Sequence, residues 1–501
     1  MEGRYQILSF SVPLLAILLS FLSARKTLPL AISIFYGFVV LFLFSPNTVS
    51  VVNVLNDVFL YIDKIKIVLA ILLFSLLVGS MNYLGFTSTL IDFTNTYIQN
   101  RKSAQLITVL NSVIFFFDEF THSFAVKNAT KSITDRHRIS REKLNFIIVN
   151  SASPIAIIIL LASWINSELN EISNAINQPI TGVKFNYFAH ALKYSYYPIF
   201  IFGFVCISIF TGREFGSMKH AKPVISSVFN HYSSKKIEAK RVIRAFSPLC
   251  VFVLVYGCAF FLSGYIKQTS NSWNLNDIIS EAHSIDALLT GSFITVFWFL
   301  VYTRKKMDYG YFESLKVSLY RGSRTILLLL LAWALGYVIK KLNVPLLVVQ
   351  NFSYGLSPYA LPALFFLMSG LVSYLTKSKY ISLSILFPVL LPIVLVVCKD
   401  TNVNLGLCND VLFHSIASIV SGALLGNHFV NSFENKILNP SSSSKSESLN
   451  IRSQKPYSFV VAGVSLFFSL TLANMGLPWF IVYFFGFLTL YLIIRIYGRT
   501  Y

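Results

Sequence analysis

Long uninterrupted apolar runs are the feature that most restricts how this chain can fold. Six of them carry almost no charge: Ile65–Val78, Leu144–Ile165, Ile243–Ile266, Thr325–Ile339, Ile381–Val397 and Trp479–Ile494. A helix needs roughly 20 apolar residues to cross the hydrocarbon core of a bilayer. Membrane strands would instead show alternating segments of about ten residues, and these Leu, Ile and Phe runs do not alternate. The runs therefore predict transmembrane helices.

Composition agrees with this interpretation. The chain has 501 residues, of which 55% are hydrophobic and only 12% charged, whereas a soluble domain has about 25% charged residues. The net charge is +20, but Lys and Arg lie in loops between the apolar runs, as the positive-inside bias requires. We therefore expect no nucleic-acid partner. The cysteines form no CxxC pair and predict neither a disulfide framework nor a structural metal.

The fold class we predict is all-α, a polytopic membrane protein with about 12 to 14 transmembrane helices. Broken or re-entrant segments are part of this prediction, and inverted repeats are an open alternative. The candidate spans lie near 7–22, 28–44, 65–83, 144–165, 194–211, 243–266, 285–303, 323–341, 359–376, 381–398, 411–426, 457–474 and 479–497.

We expect one transmembrane transporter domain over residues 1–501. Its predicted parts are N-terminal helices at 7–83, a first signature region at 100–165, a second broken-helix region at 359–440, a flexible connector at 441–456 and C-terminal helices at 457–497. The connector is predicted from the serine-rich stretch Ser441–Ser448.

The apolar segment Gln105–Phe117 has basic flanks on both sides, Arg101 and Lys102 before it and a basic loop from Lys127 onward. Two flanks that favour the same side of the membrane imply a re-entrant hairpin. Non-helical backbone at membrane depth persists where protein or a water-filled cavity satisfies it, and secondary transporters bind ions at such breaks. The alternative is a loop that lies on the membrane surface.

The predicted tip of this hairpin carries Asp118, Glu119 and Thr121. An acid inside an apolar segment costs roughly 2.5–3.5 kcal/mol on insertion scales, so it needs a functional reason. Paired carboxylates bind a hard cation through oxygen, and adjacent acids in a poor solvent also retain a proton. Either Na+ or H+ at one site is the minimal chemistry of an antiporter. In the alternative interpretation, both acids pair with the neighbouring basic loop.

Two further polar interruptions supply candidate ligands. The middle of the predicted 144–165 helix holds Asn150 and Ser153 before Pro154, whose ring removes a backbone hydrogen bond and leaves a carbonyl available. A kink that allows close helix packing is the alternative. Far downstream, Asn427 and His428 end an apolar run, and His428 would titrate near neutral pH unless it is an interfacial residue.

Other local patterns have no catalytic interpretation. Ser140 precedes Arg141 and Glu142 in the arrangement of a helix N-cap. The sequence has no HExxH, P-loop or GxSxG pattern, so we expect no enzyme activity and no cofactor.

Residues 116–164 read FFDEFTHSFAVKNATKSITDRHRISREKLNFIIVNSASPIAIIILLASW. This stretch resembles the signature region of the NhaC-type Na+/H+ antiporter family, which has an acidic pair after a Phe run, a TDR-x-RISR-x-KLAYI stretch and a Pro-containing helix. Further similar strings follow in the family order: YYPI at 196–199, TGREFG at 211–216, ALLTGSF at 287–293, LAWALG at 331–336 and SQKPY at 453–457. The resemblance implies a polytopic cation/proton exchanger, with an organic acid as substrate in some members.

The chain is a divergent member by this comparison. Asn150 and Asn427 stand where the family pattern has an acid, and Lys127 and Lys377 stand where it usually has glycine. An ammonium group near Asp118 or Glu119 would replace the transported cation and uncouple the protein from sodium. In the alternative, both lysines extend to the cytoplasmic surface.

These features together predict a secondary active transporter that exchanges Na+ or another monovalent cation for H+ across a bacterial inner membrane. Two alternatives stay open: a transporter of an organic anion or other solute with altered ion coupling, and a non-transporting interaction protein that keeps the fold. The expected partners are the ions and the lipid bilayer, with no metal beyond the transported cation. The sequence does not predict an oligomeric state.

Overall fold

The computed structural model of the protein describes residues 2–23, 27–44, 62–114, 136–155, 192–221, 238–267, 278, 282–304, 307–352, 355–430, 444–471 and 477–500. These residues are almost entirely helical. The α-helices in the described part are α1 (Glu2–Leu22), α2 (Thr27–Phe44), α3 (Ile62–Tyr83), α4 (Phe86–Asn95), α5 (Arg101–Ile114), α6 (141–155), α7 (Tyr196–Thr211), α8 (Ala239–Lys267), α9 (Ser284–Thr303), α10 (Tyr309–Lys341), α11 (Val344–Phe352), α12 (Leu361–Thr376), α13 (Lys379–Asp400), α14 (Leu405–His428), α15 (Ser444–Thr471) and α16 (Trp479–Tyr497). Two short strands, β1 (Arg213–Glu214) and β2 (Arg499–Thr500), pair antiparallel.

Within the described ranges, 10 helices are long and apolar enough to cross a membrane. In the described residues, every candidate span predicted from the sequence falls on a helix, and those that are not among the 10 fall on α6, α7 and α15. Residues 156–165 and 472–474 of two predicted spans lie outside the described residues. The all-α, polytopic prediction is confirmed. The short helices α4 and α11 were not predicted, because each is well below the length of a membrane span.

Burial separates a central group of helices from a lipid-facing periphery. In α13 and α14, 83% and 78% of the apolar stretch is buried, against 28% in α16. The outer helices expose large apolar side chains such as Phe35, Phe297 and Phe484. Since a soluble protein rarely exposes contiguous apolar surface of this kind, these faces contact lipid. The most buried helices therefore form the interior where transported species can be shielded from lipid.

Close backbone packing joins α12 to α14. A Cβ atom on Gly422 would lie 2.2 Å from the carbonyl oxygen of Phe366, and one on Gly426 would lie 2.3 Å from that of Gly370. Two serines of α12 reinforce the contact, since Ser373 Oγ donates to the Ala423 carbonyl at 2.6 Å and Ser369 Oγ bonds to the Ile419 carbonyl. Small residues that let two helix backbones approach are typical of membrane interfaces. The order of these contacts, 366 with 422 and 370 with 426, shows that the two helices run parallel. Helix α13 connects the end of α12 to the start of α14 and packs beside both.

Helix α6 lies between two apolar clusters. Its Phe146 and Ile147 belong to the large cluster built around α13 and α14. Its Leu144 and Ile148, one turn apart on another face, pack in a smaller cluster with residues of α3, α4, α8 and α9. Because α6 contacts the two clusters on different faces, any movement of one cluster against the other would change the packing of this helix.

Asp308 anchors the beginning of α10 to the end of α3. Its carboxylate accepts the backbone N–H of Tyr311 at 2.9 Å as the N-cap of α10, and it also accepts the hydroxyl of Tyr83. These hydrogen bonds, first from Tyr83 and then from the backbone, hold the pKa of Asp308 below its usual range. The contact fixes the register of the antiparallel α3–α10 pair.

The flexible connector predicted at 441–456 is wrong from Ser444 onward, because α15 begins there and continues without interruption to Thr471. Ser444 and Glu447 have the Ser-x-x-Glu spacing typical of a helix N-terminus, and this local signal outweighs the serine-rich composition. In the second broken-helix region, α12 ends at Thr376 and α13 begins at Lys379. The re-entrant hairpin stays a prediction: α5 is its first part, and its tip lies outside the described residues.

We expect Gly422→Ala to lower the free energy of unfolding by about 1–3 kcal/mol, because the added methyl group would press against the α12 backbone. Thermal unfolding of the detergent-solubilised protein measures this loss. The matched control is Gly463→Ala in α15, where an added Cβ meets nothing within 4 Å. There, alanine should be neutral or stabilise by up to about 1 kcal/mol. Equal unfolding temperatures for the two variants would contradict the proposed close packing.

Candidate functional site

The structure places five of the nine site residues predicted from the sequence. Asp118, Glu119, Thr121 and Lys127 lie outside the described residues. Asn150 and Ser153 lie on α6, Asn427 and His428 form the last turn of α14, and Lys377 separates α12 from α13.

Helix α6 carries an oxygen-rich patch around Asn150. This side chain is fully buried and its Nδ2 donates to the Phe146 carbonyl at 2.8 Å. Its Oδ1 and the neighbouring Ser151 Oγ find no hydrogen-bond partner among the described residues. Pro154, four residues on, has no N–H to donate to the Asn150 carbonyl. The patch therefore offers neutral oxygen ligands without a charge of its own.

Most buried hydroxyls elsewhere are satisfied within their own helix. Thr108 donates to the Ala104 carbonyl, Ser112 to Thr108 and Thr376 to Val372, each at 2.8 Å and one turn back. Such residues are structural. A smaller set of buried oxygens lacks a partner in the described part of the chain, and its members on α6, α14 and α15 include Asn150 Oδ1, Ser151 Oγ, Ser415 Oγ, Ser421 Oγ, Asn427 Oδ1 and Ser465 Oγ. These atoms on α6, α14 and α15 are the better candidates for ligands, because burying a polar group without a partner costs free energy.

The predicted pair at the end of α14 is anchored to α7. His428 is buried, and its Nδ1 lies 2.9 Å from the hydroxyl of Tyr197. Asn427 is half-buried beside it. A second buried histidine, His414, lies 2.8 Å from Ser469 Oγ of α15 and stacks on Tyr194. His414 could not be selected from the sequence, because isolated His residues in apolar runs are common core residues. Tyr197 lies in the family-like string YYPI, but nothing in that string pointed to His428.

Lys377 adopts a left-handed backbone conformation, with φ of 55°. Its ammonium group donates to the Phe21 carbonyl at 3.0 Å and lies 6.0 Å from the centre of the Phe21 ring. It therefore caps the C-terminal end of α1, where a cation also interacts favourably with the helix dipole. The left-handed conformation favours glycine, which explains why a family pattern would have glycine at this position.

A buried ion pair lies at the start of α6, and the sequence analysis missed it. Lys143 Nζ is 2.7 Å from Glu214 Oε1, and the two side chains are 2% and 4% exposed. Lys143 also donates to Ser208 Oγ at 2.7 Å, while Glu214 accepts the hydroxyl of Tyr457. Glu214 is the only buried carboxylate among the residues whose burial the structure describes. One sequence signal could have pointed to this pair: Lys143, Glu214 and Tyr457 each belong to a different string that resembles the family.

Ser140 caps α6 as predicted, because the backbone N–H of Lys143 donates to Ser140 Oγ at 3.2 Å. Within the described ranges, no group of three or more His, Cys, Asp or Glu side chains is arranged to hold a metal ion. Besides neutral oxygens, the described interior contains two buried histidines, the buried lysines Lys64 and Lys379, and the Lys143–Glu214 ion pair.

A bundle of apolar helices of membrane length around a buried polar interior defines a multi-pass membrane protein, and a solved structure shares this fold. The fold is similar to that of the Alcanivorax borkumensis YdaH transporter, with a TM-score of 0.52 and 14% identity over 82% of this chain and 86% of that one. Residues 155–430, more than half of the chain, match the Na+/H+ antiporter family, and the protein belongs to that family. An uncharacterized protein of Haemophilus influenzae is 21% identical over 470 residues, covering 90% of this chain and 87% of the relative.

Substitutions at Lys377 separate the cost of its left-handed backbone from the contribution of its contact with the end of α1. Lys377→Ala removes the contact with Phe21 and keeps the left-handed strain, whereas Lys377→Gly removes both. Because a left-handed conformation costs a non-glycine residue roughly 1–2 kcal/mol, the Gly variant should be more stable than the Ala variant by about 1 kcal/mol. Thermal unfolding of the two variants side by side measures the difference. An Ala variant as stable as the Gly variant would contradict the strain.

Proposed function

We propose that this transporter is secondary active and exchanges Na+, or another monovalent cation, for H+ across the cell membrane. The single observation that carries the proposal is the match to the Na+/H+ antiporter family over residues 155–430. The partnerless oxygens of Asn150 and Ser151 on α6 add a local reason, since Na+ is a hard cation that binds oxygen ligands.

Neutral oxygens replace part of a hydration shell, but they do not neutralise the charge of a cation in an apolar interior. In our proposal Asp118 and Glu119 supply that negative charge, and Thr121, Asn150 and Ser153 complete the ligand set. The exchange follows from competition for one carboxylate. A proton that arrives from one side binds the carboxylate and releases Na+, and Na+ that binds from the other side releases the proton. Asn427 and His428 are proposed as a second polar group on the path, at the end of α14.

Reconstituted vesicles with an internal pH-sensitive dye test this exchange. With an imposed pH gradient, addition of Na+, Li+ or K+ should collapse the gradient for at least one cation. Asp118→Asn should abolish the response, because an amide cannot alternate between a proton and Na+. The matched control is Asp400→Asn, which neutralises an exposed carboxylate at the end of α13 and should leave the flux unchanged. A full response in Asp118→Asn would remove this carboxylate from the mechanism.

A specific observation favours organic-anion transport as the second candidate function. Asn150 is fully buried and Asn427 half-buried, and both are neutral where the family pattern has an acid. Without those two negative charges, an anionic substrate would meet less repulsion on the path. Uptake of a labelled organic acid into the same vesicles, without any cation-evoked proton flux, would favour this function. Vesicles that show neither flux would favour an interaction protein that keeps the fold.

Asn150→Asp tests the position of the cation site. A buried carboxylate without a partner destabilises a protein by about 3–5 kcal/mol, so the variant should unfold at a lower temperature in choline chloride. If a cation binds beside residue 150, saturating Na+ should restore about 2–3 kcal/mol, more than it adds to the wild-type protein. Gln454→Glu changes a buried amide of α15 whose oxygen is not among the partnerless atoms, and this control should lose stability without any Na+ response. Equal Na+ responses would place the cation elsewhere.

A further inference from the structure

We infer that Lys143, Glu214 and Tyr457 form a latch that fixes the first turn of α6 and thereby positions Asn150 for transport. These residues are positioning residues, since they act through α6 and not by touching the transported ion. The inference rests on the proposed function for its transport readout only. The set of the three residues is called the α6 latch below.

The polar groups of the latch are buried and hydrogen-bonded to one another and to neighbouring residues. The Lys143 ammonium group has Glu214 Oε1 and Ser208 Oγ at 2.7 Å each, and its Nζ lies 5.2 Å from the centre of the Phe146 ring. The other carboxylate oxygen, Glu214 Oε2, accepts the Tyr457 hydroxyl. That hydroxyl in turn accepts the backbone N–H of Phe215 at 3.1 Å. The latch thus joins α6 directly to α7, β1 and α15.

The partners of Lys143 are held on a rigid support. Glu214 lies on β1, which pairs with β2 at the far end of the chain, so Glu214 faces Arg499 in the register. Glycines with left-handed φ flank the strand, Gly212 at 63° and Gly216 at 62°. A Cβ on Gly216 would lie 2.7 Å from Pro456, the residue before Tyr457. The strings TGREFG and SQKPY therefore pack against each other around the carboxylate that binds Lys143.

The latch and the candidate ligand share one face of one helix. Lys143 and Asn150 are seven residues apart, which is two turns and about 10 Å along the helix axis. Phe146 lies between them, its carbonyl accepts from Asn150 Nδ2, and its ring centre lies 4.6 Å from that of Tyr457 in a tilted arrangement. A rotation or shift of the first turn would therefore be passed to Asn150 through a continuous helical segment.

Stability alone is a weak explanation for this arrangement. A buried ion pair is often no more stabilising than apolar residues of the same size, because both charges lose their hydration. A buried pair instead restricts position, since any movement that separates the charges leaves each without a partner. The latch lies on α6, the helix that contacts both apolar clusters. Restricting the position of this helix would therefore affect transport.

The test compares two neutralised ion pairs in the full-length protein. The latch variant is Lys143→Met/Glu214→Gln, which removes both charges and leaves neither buried alone. The control is Lys66→Met/Asp286→Asn, which removes the Lys66–Asp286 pair between α3 and α9. Tyr457→Phe, which loses only the hydroxyl bonded to Glu214, gives a milder variant should the double variant fail to fold.

The first readout is hydrogen–deuterium exchange of the peptide that covers residues 141–155, which requires no knowledge of the substrate. We expect about tenfold faster exchange in the latch variant and a smaller increase in Tyr457→Phe, with no change in the control. The second readout is the half-saturating cation concentration in vesicles, which should rise about tenfold while the maximal rate stays within about twofold. A purely structural ion pair would lower the unfolding temperature without this separation of affinity from rate.

The outcomes separate the latch from the proposed function. Unchanged exchange at 141–155 in both the latch variant and Tyr457→Phe would overturn the latch, whatever the vesicles show. Faster exchange with an unchanged half-saturating concentration in an active protein would overturn its positioning role. If the wild-type protein shows no cation-evoked flux, the proposed antiport fails, and the exchange comparison with the control still decides whether the latch fixes α6.

Discussion

A backbone that crosses a bilayer must satisfy its own hydrogen bonds, and this constraint governs both the fold and the choice of site. It limits the spanning elements to helices and closed barrels. The same lack of water leads most buried hydroxyls to donate to the carbonyl one turn back, as Thr295 does to Gly291 and Thr303 to Phe299. A polar residue inside the membrane is therefore not by itself evidence of function. The evidence comes from oxygens such as Asn150 Oδ1, for which the described part of the chain supplies no donor.

The same lack of water in the bilayer explains how the helices of the two apolar clusters are joined. Apolar surface does not hold helices together in lipid as it does in water, so close contacts depend on small residues and interhelical hydrogen bonds. The α12–α14 pair uses both, through Gly422, Gly426 and Ser373. Helix α6 uses neither along the face of Leu144 and Ile148, where packing in the smaller cluster is apolar. Its fixed end is the polar one, at Lys143.

Sequence patterns predicted the helices well, because apolar runs of membrane length have few other solutions. They failed where the element was short or the contact distant. Helix α11 is apolar but has only nine residues, too few for a span, and the start of α15 is hydrophilic. Lys143 lies just before the predicted 144–165 span, and its partner Glu214 is remote in sequence, so only the fold brings the strings that contain them together. Of the candidate site, the α6 patch could be selected from Asn150 and Pro154, whereas the burial of His414 and the contact of Lys377 with Phe21 could not.

The neutral residue at position 150 has an electrostatic consequence for any cation on this path. Lys143 lies about two turns away on the same face, but its charge is compensated at 2.7 Å by Glu214, so α6 contributes almost no net charge to its surroundings. Without that pair, an uncompensated ammonium group would repel a cation bound near Asn150, at an energy that the low-dielectric interior would enlarge. With it, the charge that selects a cation has to come from outside α6. The proposed α6 latch would therefore fix the geometry of the patch and keep its potential neutral. In the proposed exchange, the carboxylates of Asp118 and Glu119 would then decide between Na+ and H+.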